Sequence, residues 1–305
     1  MSDRNLTRAY HTPPGFAGSY RRILLGRRDR HRAGDPLPPL EARWNGASAT
    51  PDRIARYADA CGLPDTPNYP LLFPHILVSP MQIDLISQPA FPLSPMGAVH
   101  TRIHVLQHRP IPRDARVDVS CRLSASRVLK AGLEFDFTTV LTLDGAPCWE
   151  SVSANLIRGK KFGDPADPPA LAHLDELGDP EGEHAWTVPK DMGWRYARIT
   201  GDFNPIHISR ILARFLGFPR DIIHGMWSAA RCLAHLPAPD PGSPIRADLL
   251  FKGPVFMESH VTMKHARRDA GHAFDLYCAD NPRPVIRGQV RPAEPGERLS
   301  DTTEA

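Results

Sequence analysis

From Arg116 to Leu123 polar and apolar residues alternate: Val117, Val119, Cys121 and Leu123 stand between Arg116, Asp118, Ser120 and Arg122. A period of two marks a strand with one buried face. Further strands are expected at about 99–109, 130–142 and 146–158. A second set is expected near 245–256, 259–268, 271–279 and 283–291, with Gly271 and Asn281–Pro282 as turn signals. An apolar helix precedes each set. In the second half Met226, Ala230 and Leu233 share one helical face. In the first half Ser79 is expected as the N-cap and Pro80 in the first turn, positions these residues favour. Each half therefore reads as a short helix, an apolar helix and four strands.

Between 159 and 184 the chain turns rich in Pro, Gly and acidic residues, the composition of a linker. The sequence on its two sides is similar in layout. Tyr57 through Gly62 matches Tyr196 through Gly201 at an offset of 139 (57 to 196). Phe73–Pro74 and Met81 match Phe218–Pro219 and Met226 at an offset of 145 (81 to 226). The block ending at Pro110 matches the block ending at Pro254 at an offset of 144 (110 to 254). Three short blocks in the same order at nearly one offset point to a duplicated unit. The division expected is a basic arm over 1–45, a first unit over 46–160, a linker over 161–183, a second unit over 184–292 and a disordered tail over 293–305.

The segment 196–226 carries the chemistry. It reads Tyr196, Thr200, Gly201, Asp202, Asn204, Pro205 and His207, then Ala213, Gly217, Phe218, Ile222, His224, Gly225 and Met226. A carboxylate, an amide and an imidazole fall on one short stretch, and a His-Gly-Met turn stands where an apolar helix opens. An acid–base pair beside backbone N–H groups at a helix N-terminus can move a proton next to a carbonyl. Asp202 and His207 are five positions apart and do not stack on an ideal helix. An irregular turn, stiffened by Pro205, is expected to aim both into one cleft.

This string resembles the signature of the MaoC-like dehydratases, the (R)-specific 2-enoyl-CoA hydratases of the hot-dog fold: Tyr-x-x-x-Ser/Thr-Gly-Asp-x-Asn-Pro-x-His, then Ala, Gly-Phe and Ile-x-His-Gly-Met. Every element is present in order, and Phe251, Lys252, Pro254 and Val255 form a block also found in that family. The resemblance implies an α+β double hot-dog, with antiparallel sheets each wrapped around a central apolar helix. It implies reversible hydration of trans-2-enoyl thioesters to (R)-3-hydroxyacyl thioesters. Asp202 and His207 are then the catalytic residues, with Asn204 orienting the water or a partner. Gly225 would offer its N–H to the thioester oxygen, and His224 would brace the loop beside it. The substrate would be an acyl-CoA or an acyl-carrier-protein thioester, with no cofactor.

Taken singly, each residue has a plainer reading. Asp202 alone fits a turn, His207 a satisfied core or surface position, and Tyr196 and Phe218 packing. Lys252 reads as a solvated strand residue. Asp202, His207 and His224 raise the question of a metal, but their spacing matches no zinc motif, so none is expected. In the first half the offset of 139 puts Leu63 in place of Asp202 and Asn68 in place of His207, and Ser79–Pro80 replaces His224–Gly225. Neither Leu nor Asn does acid–base work and Pro has no N–H, so that unit is expected to be catalytically dead. By analogy with related double hot dogs it would hold the acyl chain, with Met81 and Leu85 as candidate walls.

Composition narrows the rest. A net charge of +3 on 305 residues gives no reason to expect nucleic acid. Five scattered cysteines without a Cys-x-x-Cys pair fit a reduced, cytoplasmic setting. No apolar run approaches the roughly 20 residues of a membrane span, and the start lacks a secretory core. The cluster Arg21, Arg22, Arg27, Arg28, Arg30 and Arg32 would serve phosphates or organelle targeting; more often such a run is a solvated arm. A homodimer stays open. Two other classes compete with hydration: hydrolysis of the thioester by a hot-dog enzyme, and a non-catalytic acyl-thioester-binding scaffold. A pure binder has no need of Asp202, Asn204 and His207 together.

Overall fold

The computed structural model describes residues 6–28, 31–159, 162–237 and 242–299. Strand β1 (Leu6–Tyr10) and helix α1 (Phe16–Leu25) precede β2 (Leu40–Ala47), α2 (Pro51–Cys61) and α3 (Phe73–Ser87). Then come β3 (Val99–Gln107), β4 (Val117–Leu129), β5 (Gly132–Leu143) and β6 (Ala146–Arg158). The second unit holds β7 (Gly182–Thr187), α4 (Met192–Thr200), α5 (Pro205–Ile208), α6 (Arg210–Phe215) and α7 (Gly225–Leu233). It closes with β8 (Ile245–Phe251), β9 (His260–Arg268), β10 (Gly271–Cys278) and β11 (Ile286–Pro292). The fold is the α+β double hot-dog expected, with one modification: the two sheets are continuous. Eleven strands run in the order β1-β2-β4-β5-β6-β3-β8-β11-β10-β9-β7.

The join is the antiparallel pair β3–β8, in which His104 stands opposite Asp248. These two residues are also 144 apart, the offset of the strand blocks. A residue facing its own repeat equivalent marks a local two-fold axis, so the axis passes through this pair. The seam is polar on its outer face. His104 Nδ1 lies 2.7 Å from Asp248 Oδ1, Arg246 Nε donates to both Asp248 oxygens at 3.0 and 3.1 Å, and Gln289 Nε2 donates at 2.9 Å. Burial pushes the Asp248 carboxyl up, but His104, Arg246 and Gln289 outweigh it and hold it down at about 2.

Inside the curve of the sheet, α3 and α7 supply the core. Helix α3 is apolar nearly all round, and 13 of its 15 residues are buried, as a helix enclosed by a sheet requires. It begins at Phe73 and not at Ser79, with Pro74 in its first turn, so the expected cap at Ser79–Pro80 is corrected. Pro80 sits inside the helix and cannot donate to the Ile76 carbonyl four residues back. The Ser79 hydroxyl takes up that carbonyl at 3.5 Å. Helix α7 starts at Gly225 and buries Met226 and Ala230, with Leu233 packed at the core margin.

Both ends of the chain depart from expectation. The segment read as a basic arm over 1–45 carries β1, α1 and most of β2, and β2 pairs with β4 from Glu41 to Ala47. Arg22 pairs with the buried Asp84 on α3, and Arg28 Nη1 donates to the Ile86 and Phe91 carbonyls at 3.1 Å each. Arg30 lies outside the described residues. The linker crosses the outer face of the sheet, where Arg287 donates to the Leu174 carbonyl and Leu177 packs on Ala266 and Ala273. The tail expected to be disordered docks on the same face as far as Leu299. Leu299 is buried against Leu106 and Val152, its N–H meets Glu150 Oε2 at 3.2 Å, and Glu297 pairs with Arg246 and Arg291. These contacts cover buried arginines and carboxylates that would otherwise face water on the convex side.

Asp248 links stability to pH with a definite sign. Its carboxyl is depressed in the fold, so the stabilisation is present above its ordinary value of 3.8 and is lost as pH falls through that value toward about 2. Asp248→Asn leaves His104 buried without its carboxylate partner and Arg246 with Glu297 alone. It is expected to cost about 3 kcal/mol at neutral pH and to flatten the fall in stability over that window, as read by denaturant melts across pH.

Candidate active site

The segment carrying Asp202, Asn204 and His207 is a loop held at three points. Helix α4 ends at Thr200, and Thr200 Oγ1 accepts the Asp202 N–H at 3.2 Å. Asn204 is the N-cap of α5, its side-chain oxygen accepting from Ile206 N at 3.3 Å. Its own N–H donates to Asp202 Oδ1 at 3.1 Å. Asn204 therefore shapes the turn and orients Asp202 through its backbone N–H. Gly193 lets α4 close on α5: a Cβ there would lie 1.9 Å from the His207 carbonyl oxygen, so only glycine fits. His207 occupies the short helix α5, and its Nδ1–H donates to the Ile222 carbonyl at 2.9 Å. The carbonyl accepts, so the proton is on Nδ1 and the Nε2 lone pair is available.

His224 stands just before α7. Its Nε2–H donates to the Asp202 carbonyl at 3.1 Å, and its ring stacks on His207 with centroids 3.7 Å apart. These contacts tie the loop at Asp202 to the start of α7. Gly225 follows at the first position of α7. First-turn N–H groups have no carbonyl within their own helix, and the helix dipole adds positive potential there. A Cβ at Gly225 would meet the Phe251 ring at 3.1 Å, so glycine lets that backbone sit against β8.

The electrostatics separate the two catalytic candidates. Burial pushes the Asp202 carboxyl up, but His224, His207, the Asn204 N–H and the Tyr20 hydroxyl together bring it below the ordinary value. Burial pushes His207 down, against the pull of Asp202 and the Ile222 carbonyl. Burial and then His207 push His224 down to about 3. At neutral pH the site thus holds one carboxylate and two neutral imidazoles. The Tyr20 hydroxyl, from α1, donates to Asp202 Oδ1 at 3.0 Å. Nothing in the sequence pointed to Tyr20, which lies in the segment read as a solvated arm.

Asp202, His207 and His224 also bring three possible ligand atoms within 4.8 Å of one another, a grouping that chain spacing did not reveal. The donor geometry opposes a shared ion. One nitrogen of each imidazole already donates to a carbonyl, and the rings lie face to face at 27°, so their in-plane lone pairs run side by side and do not converge on one centre.

Asp202, His207 and Gly225 open on one cavity of about 330 Å³. It continues across the seam into the first unit, where Ile76, Ser79, Gln82 and Ile83 of α3 form its wall. Met81 and Leu85, the expected walls, are fully buried in the core on other sides of α3. Phe16 and Tyr20 of α1, His75 and His100 of the first unit, and Arg158 and Lys252 also line it. In the first unit Asn68 forms a β-bridge to Pro112, and its repeat equivalent in the second unit is the bridge Ile222–Phe256. Helices α5 and α6 fall in the stretch that precedes the second bridge and have no counterpart in the first unit.

Comparison with known proteins agrees with this geometry. The sequence model of the family described as MaoC like domain matches residues 176–278. The chain is 33% identical over 259 residues to 3-hydroxyacyl-thioester dehydratase X of Mycobacterium tuberculosis, covering 84% of this chain and 91% of that protein. The crystal structure of HtdX from Mycobacterium tuberculosis superimposes with a TM-score of 0.70 at 28% identity, over 83% of this chain and 100% of that one. A MaoC-like dehydratase from Phytophthora capsici has the same fold, with a TM-score of 0.70 at 19% identity over 87% of this chain and 98% of its own.

Proposed function

The chain belongs to the MaoC-like dehydratases, and from that premise we propose that it is a hydro-lyase that reversibly hydrates trans-2-enoyl thioesters to (R)-3-hydroxyacyl thioesters. The observation that carries this reading is the convergence of one carboxylate, one neutral imidazole with a free Nε2 and one helix N-terminus on a single cavity.

The steps follow from which atoms are occupied. Asp202 Oδ1 already accepts from Tyr20 and Asn204, so Oδ2 is the oxygen left to take a proton. A water between Oδ2 and His207 Nε2 gives one hydrogen to each lone pair. As its oxygen adds to the β-carbon, the proton passes to Asp202 and negative charge moves to the thioester oxygen. That oxygen faces the Gly225 N–H, where one such donor is worth about 3 kcal/mol. The proton then returns from Asp202 to the α-carbon, and the carboxylate is regenerated. Dehydration runs the same path backwards.

The acyl chain extends over the seam to the α3 wall, so the first unit contributes space for it. The thioester is carried by coenzyme A or an acyl carrier protein, and Arg158 and Lys252 at the cavity are placed to meet its phosphates. Among the described residues no helix is long and apolar enough to cross a membrane. Five buried free cysteines fit the reduced setting of the cytoplasm. No cofactor is assigned.

Two expectations follow. Asp202→Asn and His207→Ala each fold but lose about 10²–10⁴ in turnover, the scale of an acid–base group. The loss of enoyl absorbance is the measure; near-normal rates in either variant, or release of free thiol by the parent protein, contradict the reading. Full activity survives exhaustive dialysis against a chelator; a loss that zinc restores would make the Asp202–His207–His224 group a metal site.

A further inference from the structure

We propose that Tyr20 is a positioning residue for Asp202, delivered to the catalytic loop by a helix that the first unit anchors; this rests on the hydration reading above. The first unit, which has Leu63 and Asn68 at the positions offset by 139 from Asp202 and His207, would then supply part of the working site.

The anchoring is built from buried charge. Asp84 on α3 is almost wholly buried and gathers five side chains. Tyr10 Oη donates at 2.5 Å, Ser19 Oγ at 3.2 Å and Gln88 Nε2 at 3.2 Å, Arg22 pairs with it, and Arg8 Nε lies at 3.0 Å. Ser19 and Arg22 are three apart on α1 and face α3 together. Phe16 and Tyr20, four apart, share the neighbouring face, with ring centroids 6.3 Å apart. That face covers the cleft: both residues line the cavity, and the Phe16 ring lies against Gly201, one residue before Asp202. Arg28 ties the chain beyond α1 to the Ile86 and Phe91 carbonyls. Helix α1 is thus fixed to the first unit on one side and rests on the catalytic loop of the second on the other.

Its hydroxyl does a definite job there. Tyr20 and the Asn204 N–H both donate to Asp202 Oδ1. Two donors on one oxygen fix the carboxyl rotamer and leave Oδ2 turned toward the water. The groups facing Asp202 are Tyr20 from α1, the N–H of Asn204, His207 from α5, His224 ahead of α7 and the Tyr196 ring of α4. Burial, and then the Asp202 charge, push the Tyr20 phenol far above its ordinary value. It therefore stays a donor throughout the working range and is not itself an acid or base in the reaction.

Tyr20→Phe removes the hydroxyl and keeps the ring packing. With a short 2-enoyl-CoA, kcat is expected to fall roughly ten- to hundredfold, the loss of one hydrogen bond to a charged group, with KM nearly unchanged. The acid limb of kcat/KM moves to higher pH, because Asp202 has lost a donor to its charged form. A purely structural role would lower the melting temperature and leave that limb in place. A second readout needs no activity: in protein labelled with ¹³C at the aspartate carboxyls, the Asp202 signal, assigned by its loss in Asp202→Asn, titrates at higher pH in Tyr20→Phe. Placing 3-fluorotyrosine at position 20, a stronger donor in the same space, moves the titration the other way. An unchanged Asp202 titration and unchanged kcat in Tyr20→Phe would overturn the proposal. A parent protein that hydrates no enoyl thioester, while its Asp202 titration still responds to Tyr20, would overturn the hydration reading and leave the positioning role standing.

Discussion

The pairing of β3 with β8 is the constraint on which the rest of the structure depends. It turns two curved sheets into one, with the axis of the repeat at His104 and Asp248. A single cavity can then run from the start of α7 in one unit to the wall of α3 in the other. The pairing has a consequence for charge, because the outer face of the seam holds Asp248, Arg246 and His104 away from water. Buried ions need partners and cover, and the linker and the C-terminal segment provide the cover. Segments that look like spacers in sequence therefore behave as a third layer.

Duplication followed by divergence explains the division of labour. Where the second unit breaks its central helix to start α7 at Gly225, the first unit runs α3 straight through the equivalent position at Pro80. No helix N-terminus faces the cavity there. Where the second unit inserts α5 and α6 to carry His207, the first passes directly to the Asn68 bridge. The cavity extends to α3 in the first unit, and α1 fills part of the cleft from that side. In the proposed reading, one unit does proton transfer while the other supplies shape, anchoring and Tyr20.

Much of this was legible in the chain. Strict alternation located β4, and the turn signals located the last strands of the second unit, because a half-buried face imposes a period of two on any sequence. The strand blocks gave an offset of 144, which the register of the seam reproduces. Asp202, His207, His224 and Gly225 were found as a string and meet in space as a site. What was not legible has a common physical cause: long-range polar contact leaves no periodic trace. Arg22 and Arg28 look like solvated charge until Asp84 and two carbonyls are placed beside them. Tyr20 and Asp202 are 182 residues apart. The cap at Ser79 failed because a serine hydroxyl can serve a freed carbonyl inside a helix as well as a free N–H at its start. Strand β2 does alternate, burying Leu40, Ala42 and Trp44 between Glu41, Arg43 and Asn45, but it falls largely in the segment read as an arm; edge strand β7 buries none of its six residues.

The account turns on one carboxylate taking a proton from water and returning it on the same face of the substrate. Hydrating a trans-2-enoyl-CoA in deuterium oxide and determining the configuration at both new centres by chiral chromatography and proton NMR tests this directly. A product that is (R) at carbon 3, with the deuterium at carbon 2 added to the same face as the hydroxyl, is the predicted result. Deuterium on the opposite face would require a second proton donor across the cavity, and an (S) product would place the attacking water on the other face of the enoyl group; either result would contradict the mechanism proposed for Asp202 and His207.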